Sequence, residues 1–166
     1  DKDHVITQAL FDEEDAPLAV GNTYCSFVRE YDEKKNMVQE AYFGADGTAI
    51  ARTEGYDEVR QAFDDANRVI RIEYYQDGEL ILTNRRIAVI EREYEENNLV
   101  SVERYYGTKD ERVRSSDGYS RIDRTWLDKD HVVTQALFDE EDEPLAVGNT
   151  YCSFAREYDE KKNMVH

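Results

Sequence analysis

Few side chains in this sequence could carry out acid–base or nucleophilic chemistry. The histidines are His4, His131 and His166, and the cysteines are Cys25 and Cys152. His4 and His131 occupy copies of one turn, "DKDH", in which a neighbouring Asp could orient a general base. No nucleophile or oxyanion hole accompanies them, so we interpret both as solvated turn residues. The sequence therefore predicts a protein that is not an enzyme, with no catalytic residue and no cofactor.

Cys25 and Cys152 occupy the same position in two copies of one repeated segment. With strands about 4.8 Å apart and three strands per unit, the two cysteines would be separated by roughly 55 Å. A disulfide requires Cα atoms within about 7 Å of each other, and the Cys-x-x-Cys spacing of many metal sites is absent. We therefore expect both thiols to remain free, packed beside Phe27 and Phe154.

Clusters of acidic residues raise the question of calcium. "FDEED" occurs at 11–15 and again at 138–142, and "FDDAN" occurs at 63–67. Closely spaced oxygen ligands suit Ca²⁺, but none of these segments has the spaced Asp-x-Asp-x-Asp-Gly pattern of a calcium loop. Asp and Asn also favour turns because they hydrogen-bond to their own backbone. We predict turns and no metal site.

The charge balance excludes some classes of partner. The chain has 38 acidic and 21 basic residues, a net charge of −17. Nucleic-acid binding requires clustered Lys and Arg to neutralise phosphates, so we expect no nucleic-acid partner. No run of about 18 apolar residues occurs, which excludes direct membrane insertion by a helix. An acidic surface is instead suited to cations and basic partners.

Aromatic residues are the best candidates for a binding function. Pairs recur at Tyr42-Phe43, Tyr74-Tyr75, Tyr105-Tyr106 and Leu137-Phe138. Neighbouring strand residues point to opposite faces, so one member of each pair can be exposed. Sugars stack on aromatic rings while polar side chains bind their hydroxyl groups. The candidate ligand-binding residues are therefore the second members, Phe43, Tyr75, Tyr106 and Phe138, although the same spacing also suits a row of core residues.

These residues belong to a repeated chain. Residues 1–38 reappear as 128–165, shifted by 127, with three differences: Ile6/Val133, Ala16/Glu143 and Val28/Ala155. A shorter period is marked by the aromatic residues Tyr31, Phe63, Tyr94, Trp126 and Tyr158, which are 32, 31, 32 and 32 residues apart. We divide the chain into a partial unit 1–30, four units at 31–62, 63–93, 94–125 and 126–157, and the start of another at 158–166. Partial units at both ends predict a fragment of a longer array.

Each unit has the same order of strands and turns. A polar turn leads to a β-rich run, a second turn such as Asp46-Gly47 or Asp77-Gly78 leads to a short strand, and a third turn leads to a strand with period-two alternation. Asp-Gly between alternating runs is a strong hairpin signal. We predict an all-β, elongated antiparallel β-hairpin repeat array, solenoid-like or a single-layer rod, with about three strands per 32-residue repeat. A helical repeat array has a similar period, but the Val, Ile and Tyr content and a turn every ten or so residues favour β.

The segments "REYDEKKNMVQEAYFGADGT" (29–48), "FDDANRVIRIEYYQDGE" (63–79) and "YEENNLVSVERYYGTKD" (94–110) are similar to bacterial tandem Tyr-Asp β-hairpin repeats. They more distantly resemble the cell-wall-binding repeats of choline- and glucan-binding proteins. The resemblance implies an all-β rod or shell, a bacterial origin and a role at the cell envelope. Cell-wall-binding repeats are shorter and rich in Trp and Gly, and Tyr-Asp repeats usually have Gly where this chain has Lys35, Asn67 or Asn98. No specific site is carried over.

These observations lead to three functional expectations. The first is a structural stalk, spacer or scaffold in a larger bacterial cell-envelope protein, whose partners are the flanking domains of that protein. The second is a module that binds a cell-wall glycan or a teichoic-acid-like polymer through periodic aromatic residues. The third is an acidic platform for protein–protein interaction. The resemblance favours the cell surface, and the alternative is a cytoplasmic accessory domain of an envelope-biosynthesis enzyme.

Overall fold

A computed structural model describes residues 4–19, 24–148 and 151–165. Its strands are β1 (His4–Ala9), β2 (Ser26–Tyr31), β3 (Met37–Phe43), β4 (Glu58–Phe63), β5 (Val69–Gln76), β6 (Glu79–Leu80), β7 (Val89–Tyr94), β8 (Val100–Tyr106), β9 (Arg121–Asp128), β10 (His131–Phe138) and β11 (Ser153–Ala155). Among these residues no transmembrane helix occurs, since all the regular elements are strands. The all-β prediction is confirmed.

All eleven strands form one open antiparallel sheet. Ten of them lie side by side in the order β1-β2-β3-β4-β5-β7-β8-β9-β10-β11, and β6 pairs with β5 alone. Hairpins β2·β3, β4·β5, β7·β8 and β9·β10 alternate with joints between hairpins. Four of these joints share one register, shifted by whole units: Glu40 opposite Val59, Ile72 opposite Ile90, Glu103 opposite Ile122, and Gln135 opposite Phe154. The sheet therefore grows by repetition of one joint.

Each unit contains three extended segments, of which two long ones enter the sheet path. The third is short and folds back along the end of the preceding strand. It appears as β6 in one unit and as single bridges in the others, Phe43 with Ala49, Tyr106 with Arg112 and Phe138 with Pro144. The unit boundaries proposed from the sequence, at Tyr31, Phe63, Tyr94, Trp126 and Tyr158, fall at or near the end of the strand that opens each hairpin.

The hairpin turns explain a feature of the repeat. Residues at one turn position have positive φ: Lys35 (67°), Asn67 (60°), Asn98 (65°) and Lys162 (64°). This is the left-handed region that Gly favours and Asn tolerates. After the turns at Lys35, Asn67 and Asn98, one residue is left out of the pairing register, namely Val38, Ile70 and Ser101, respectively. Because this bulge reverses the alternation, Val69 and Ile72 share a face although they are three residues apart, and Ile70 is 37% exposed.

The core lies on the sheet face that the folded-back segments cover. Its buried cluster contains Val59, Ile72, Ile87, Ile90 and Tyr105, with Tyr56, Val69, Tyr74, Val113 and Tyr119 packed against it. Tyrosine rings continue along this face through the first hairpins, from Tyr24 to Tyr42 (5.0 Å), Tyr56 (6.2 Å) and Tyr74 (4.9 Å between centroids). Neighbouring units therefore build one continuous core that no single hairpin could enclose.

Candidate functional site

The four predicted ligand-binding residues lie on the sheet face opposite the core. Phe43, Tyr75, Tyr106 and Phe138 are all half-buried, and they form what we call the aromatic row. Their partners across the ladder are Ser26, Glu58, Val89 and Arg121, respectively. Successive members are two strands apart, about 9.6 Å along the sheet. The first members of the pairs point into the core, as the burial of Tyr42 and Tyr105 shows.

Arginine side chains lie over three of the four rings of the aromatic row. The guanidinium carbon of Arg60 lies 4.0 Å from the ring centroid of Tyr75, and that of Arg121 lies 4.3 Å from Phe138. Arg112 lies 5.6 Å from the ring of Tyr106. These are cation–π distances. A sugar that stacks on the same side of these rings must displace a guanidinium group.

The charged groups around the aromatic row are largely paired with each other. Arg71 bonds to Glu73 at 2.8 Å and to Glu91 at 2.6 Å across the joint between hairpins. The hydroxyl group of Tyr75 donates to Glu73 at 2.9 Å. Burial of the ring, and then this carboxylate, raises the pKa of Tyr75. Each exposed ion pair contributes little alone, but together they leave few free cationic groups for an anionic polymer.

Three of the five periodic aromatic residues at the unit boundaries bond their hairpin to the one before it. The hydroxyl group of Tyr94 donates to the carbonyl oxygen of Val69 at 2.7 Å. The indole N–H of Trp126 donates to Val100 at 2.8 Å, and the hydroxyl group of Tyr158 donates to Val132 at 2.9 Å. We call Tyr94, Trp126 and Tyr158 the anchor residues. Their shared role is to close the joint between hairpins.

Buried polar networks also support the sheet. Glu40, which is 8% exposed, accepts from Arg29 at 2.8 Å and from the hydroxyl group of Tyr42 at 2.6 Å. A second copy joins Arg92, Glu103 and Tyr105, with distances of 2.7 and 2.6 Å. Burial, reinforced by the neighbouring carboxylate, raises the pKa of Tyr105 and of Tyr42. These ionisable groups satisfy one another in the core and do not face an open cleft.

No protein-family model matches this chain, and neither does any curated protein sequence.

His131 is the half-buried first residue of β10, directly after the turn at 129–130, so the prediction of a solvated turn residue is wrong. Its Nδ1 is 2.6 Å from Oδ1 of Asp128, and the ammonium group of Lys162 is 2.7 Å from Oδ2 of the same carboxylate. Lys162 and then His131 lower the pKa of Asp128. The imidazole also meets the ring of Tyr158 edge-on at 5.0 Å. This cluster bonds one turn to the next, and the side chain of His4 and all of His166 lie outside the described residues.

The acidic turns hydrogen-bond to their own backbone. Oδ1 of Asp64 accepts from the amides of Ala66 and Arg68, each at 2.9 Å, and these bonds, led by that from Arg68, lower the pKa of Asp64. At 139–141 the carboxylate oxygens of Asp139, Glu140 and Glu141 lie within 4.8 Å of one another. Arg114 approaches this group at 2.6 Å from Glu140. These contacts support the interpretation as turns.

The two cysteines are both free, as predicted. Cys25 precedes β2 and is buried, and Cys152 precedes β11 and is half-exposed. Eight strand spacings separate β2 from β11 in the sheet, or about 38 Å. The sequence-based separation of roughly 55 Å is therefore too large, because two strands per unit, and not three, contribute to the length of the sheet.

Sequence reasoning missed two functional contacts. It identified the anchor residues by their spacing but not the hydrogen bonds that they donate across the joints. It also missed the arginines over the aromatic row. A signal was present for the anchors, since Tyr and Trp both carry a donor at the end of a large ring. No comparable signal existed for Arg112, which reaches Tyr106 from the folded-back segment.

Proposed function

We propose that this chain is a non-catalytic repeat module that acts as a stalk, spacer or scaffold in a larger bacterial cell-envelope protein. The observation that carries the proposal is the joint between hairpins, which recurs with the same residue register from β3·β4 to β10·β11. A sheet built this way can change its length by whole units without altering any contact. The near-identity of 1–38 and 128–165 is what such changes of length would produce.

The contacts of the polar and aromatic side chains also support the spacer proposal. The anchor residues bond to the preceding hairpin. The side-chain amide of Asn84 donates to the carbonyl oxygen of Thr53 at 2.6 Å, and the guanidinium group of Arg85 donates to Asp117 at 2.8 Å. The carboxylates of buried Glu40 and half-buried Glu103 are each paired with an arginine and a tyrosine. These side chains are thus occupied in holding the sheet together. The resemblance to Tyr-Asp repeats supports a bacterial envelope setting.

The proposal is tested by adding one 127-residue period, a second copy of residues 31–157 inserted after 157, and measuring small-angle X-ray scattering. We expect the array to lengthen by eight strand spacings, about 38 Å along its axis, with an unchanged cross-section. Urea unfolding should show a more stable array, because one more complete set of joints has been added. A larger cross-section with no increase in length, or loss of the folded state, would contradict the spacer function.

Glycan binding is the second candidate, and the aromatic row is the observation that favours it. Four rings recur two strands apart on one face, which is the arrangement a periodic polymer requires for avidity. The guanidinium groups over three of these rings oppose glycan binding. Titration with purified cell-wall polysaccharides and teichoic acids, followed by Trp126 fluorescence and calorimetry, separates the two functions.

The variants for this titration follow from the stacking. Arg60→Ala uncovers the ring of Tyr75, so a stacking sugar should bind this variant more tightly. Tyr75→Ala and Tyr106→Ala should abolish binding while circular dichroism shows the sheet intact. If neither the parent chain nor Arg60→Ala produces heat with any polymer of the panel, the aromatic row is not a glycan site.

A further inference from the structure

The chain runs through the sheet in one direction. Apart from β6, the strands lie side by side in the same order as they occur in the chain. Each described strand contacts only the strands with which it pairs. Tension that reaches a hairpin through the chain on either side of it therefore acts along the long axis of the sheet, perpendicular to the strands.

This direction of pull loads the sheet one hydrogen bond at a time. The bonds between antiparallel strands are perpendicular to the strands, so tension along the axis lies parallel to the bonds. The connections between hairpins, at 44–57, 77–88 and 107–120, all leave the sheet on the side opposite the hairpin turns. Each ladder is thus pulled at one end, and its bonds open in succession from that end. Tension parallel to the strands would load all the bonds of a ladder together.

The joints have shorter ladders than the hairpins. Hairpins β2·β3, β4·β5, β7·β8 and β9·β10 each pair six or seven residues of one strand with the next. The four joints that share one register pair only three, whereas the first joint, β1·β2, pairs six. Interfaces that follow one another along the axis bear the same tension. The four short ladders therefore open before the hairpins do.

The anchor residues bridge the part of a joint that its ladder does not reach. In β5·β7 the last pair on the side of the hairpin turns is Arg71 with Glu91. Beyond that pair, the hydroxyl group of Tyr94 donates to the carbonyl oxygen of Val69 at 2.7 Å. The other two anchors make the same kind of bond at the next two joints. One side-chain hydrogen bond thus supplements each of these three-residue ladders.

We propose that the array is an extensible element, in which tension along the axis opens the joints one at a time and each unit releases its stored length while the others stay folded. An isolated two-stranded hairpin is only marginally stable, so a hairpin that has lost its joints also unzips. A unit of 32 residues then lengthens from about 9.6 Å to about 110 Å. Its contacts are local in sequence, which favours rapid refolding when the tension falls. This inference rests on the proposed spacer function and adds to it a response to load.

The test is single-molecule pulling of the intact chain, held in optical tweezers by handles at its two ends. We expect its length to increase in several steps, none larger than one unit, about 100 Å, and to be recovered when the load is lowered. A single rupture that releases several units together, or a chain that stays extended at low load, overturns the proposal. An array that behaves in this way but still lengthens by whole units in the scattering experiment is a rigid spacer, so the two proposals fail separately.

An anchor variant tests whether the array opens at its joints. Tyr94→Phe removes the hydroxyl bond across β5·β7 and keeps the ring. At a given force this joint should open up to about fivefold faster, because one hydrogen bond fewer holds it, and the other steps should be unchanged. Tyr75→Phe is the matched control, since the hydroxyl group that it removes donates to Glu73 of the same strand at 2.9 Å and crosses no joint. Equal opening rates for the two variants would show that the array does not open at the joints.

Discussion

The periodic aromatic residue at position 63 cannot make the hydrogen bond that the three anchor residues make. Tyr94, Trp126 and Tyr158 each donate to a carbonyl of the preceding hairpin, but the residue of that series at position 63 is Phe. Val69 corresponds to Met37 one unit, or 32 residues, earlier in the chain. A hydroxyl group at position 63 would therefore donate to the carbonyl oxygen of Met37. We therefore expect Phe63→Tyr to stabilise the protein and Tyr94→Phe to destabilise it.

The magnitude follows from a single hydrogen bond. Tyr94→Phe keeps the ring, and with it the contact of Arg68, whose guanidinium carbon is 4.9 Å from the centroid. It removes only the bond of 2.7 Å to Val69. A neutral hydrogen bond contributes about 1 kcal/mol to the free energy of unfolding. For a chain of this size that is a shift of about 2–4 °C in Tm. Phe63→Tyr should raise the free energy of unfolding by up to about the same amount.

Urea unfolding, followed by far-UV circular dichroism and by Trp126 fluorescence, measures both changes. Tyr151→Phe is the matched control, since it removes a hydroxyl group from a ring that is 46% exposed at the end of the array. The control should leave the midpoint unchanged. If Tyr94→Phe is no less stable than Tyr151→Phe, or if Phe63→Tyr lowers the midpoint, the anchors do not close the joints and the reasoning is wrong.

Three further predictions concern an ion pair, a buried tyrosine and the two cysteines. Glu103→Ala leaves the half-buried guanidinium of Arg92 without its partner at 2.7 Å and should cost about 2 kcal/mol, the contribution of a hydrogen bond between charged groups. Adding Arg92→Gln should restore part of this stability in urea unfolding, and no recovery would show that the unpaired charge is not the cause. Burial raises the folded-state pKa of Tyr105 above its ordinary value of 10.0. The unfolded chain therefore loses this proton first as pH rises, and the free energy of unfolding should fall above pH 10. In Tyr105→Phe the fall should be shallower, and an equal slope would contradict the assignment of this pKa to Tyr105. A thiol reagent added to the dilute native protein should modify half-exposed Cys152 before buried Cys25. Mass spectrometry of the digested protein measures both rates, and equal rates would contradict the difference in packing between the two cysteines.

The order of strands and turns was predictable because its causes are local. Asp-Gly turns, β-rich runs and a period of 31 or 32 residues are all properties of short segments, and they predicted antiparallel hairpins at the positions where β3, β5 and β8 lie. The face on which the aromatic row lies was not predictable. Tyr74 and Tyr75 are identical residues, so residue type does not distinguish them. Neighbouring strand residues point to opposite faces, and the sequence does not show which face is covered.

By itself the sequence determined the repeat, the all-β class and the positions of the anchor residues, because these depend on spacing along the chain. Only the tertiary structure decided which side of the sheet is the core, because the folded-back segments that cover it lie beside residues distant in sequence. It also decided that two strands per unit extend the sheet, since the third, folded-back segment pairs only with the end of the strand before it. The bond from Tyr94 to Val69 joins residues 25 positions apart, and it exists only because the sheet brings two hairpins together.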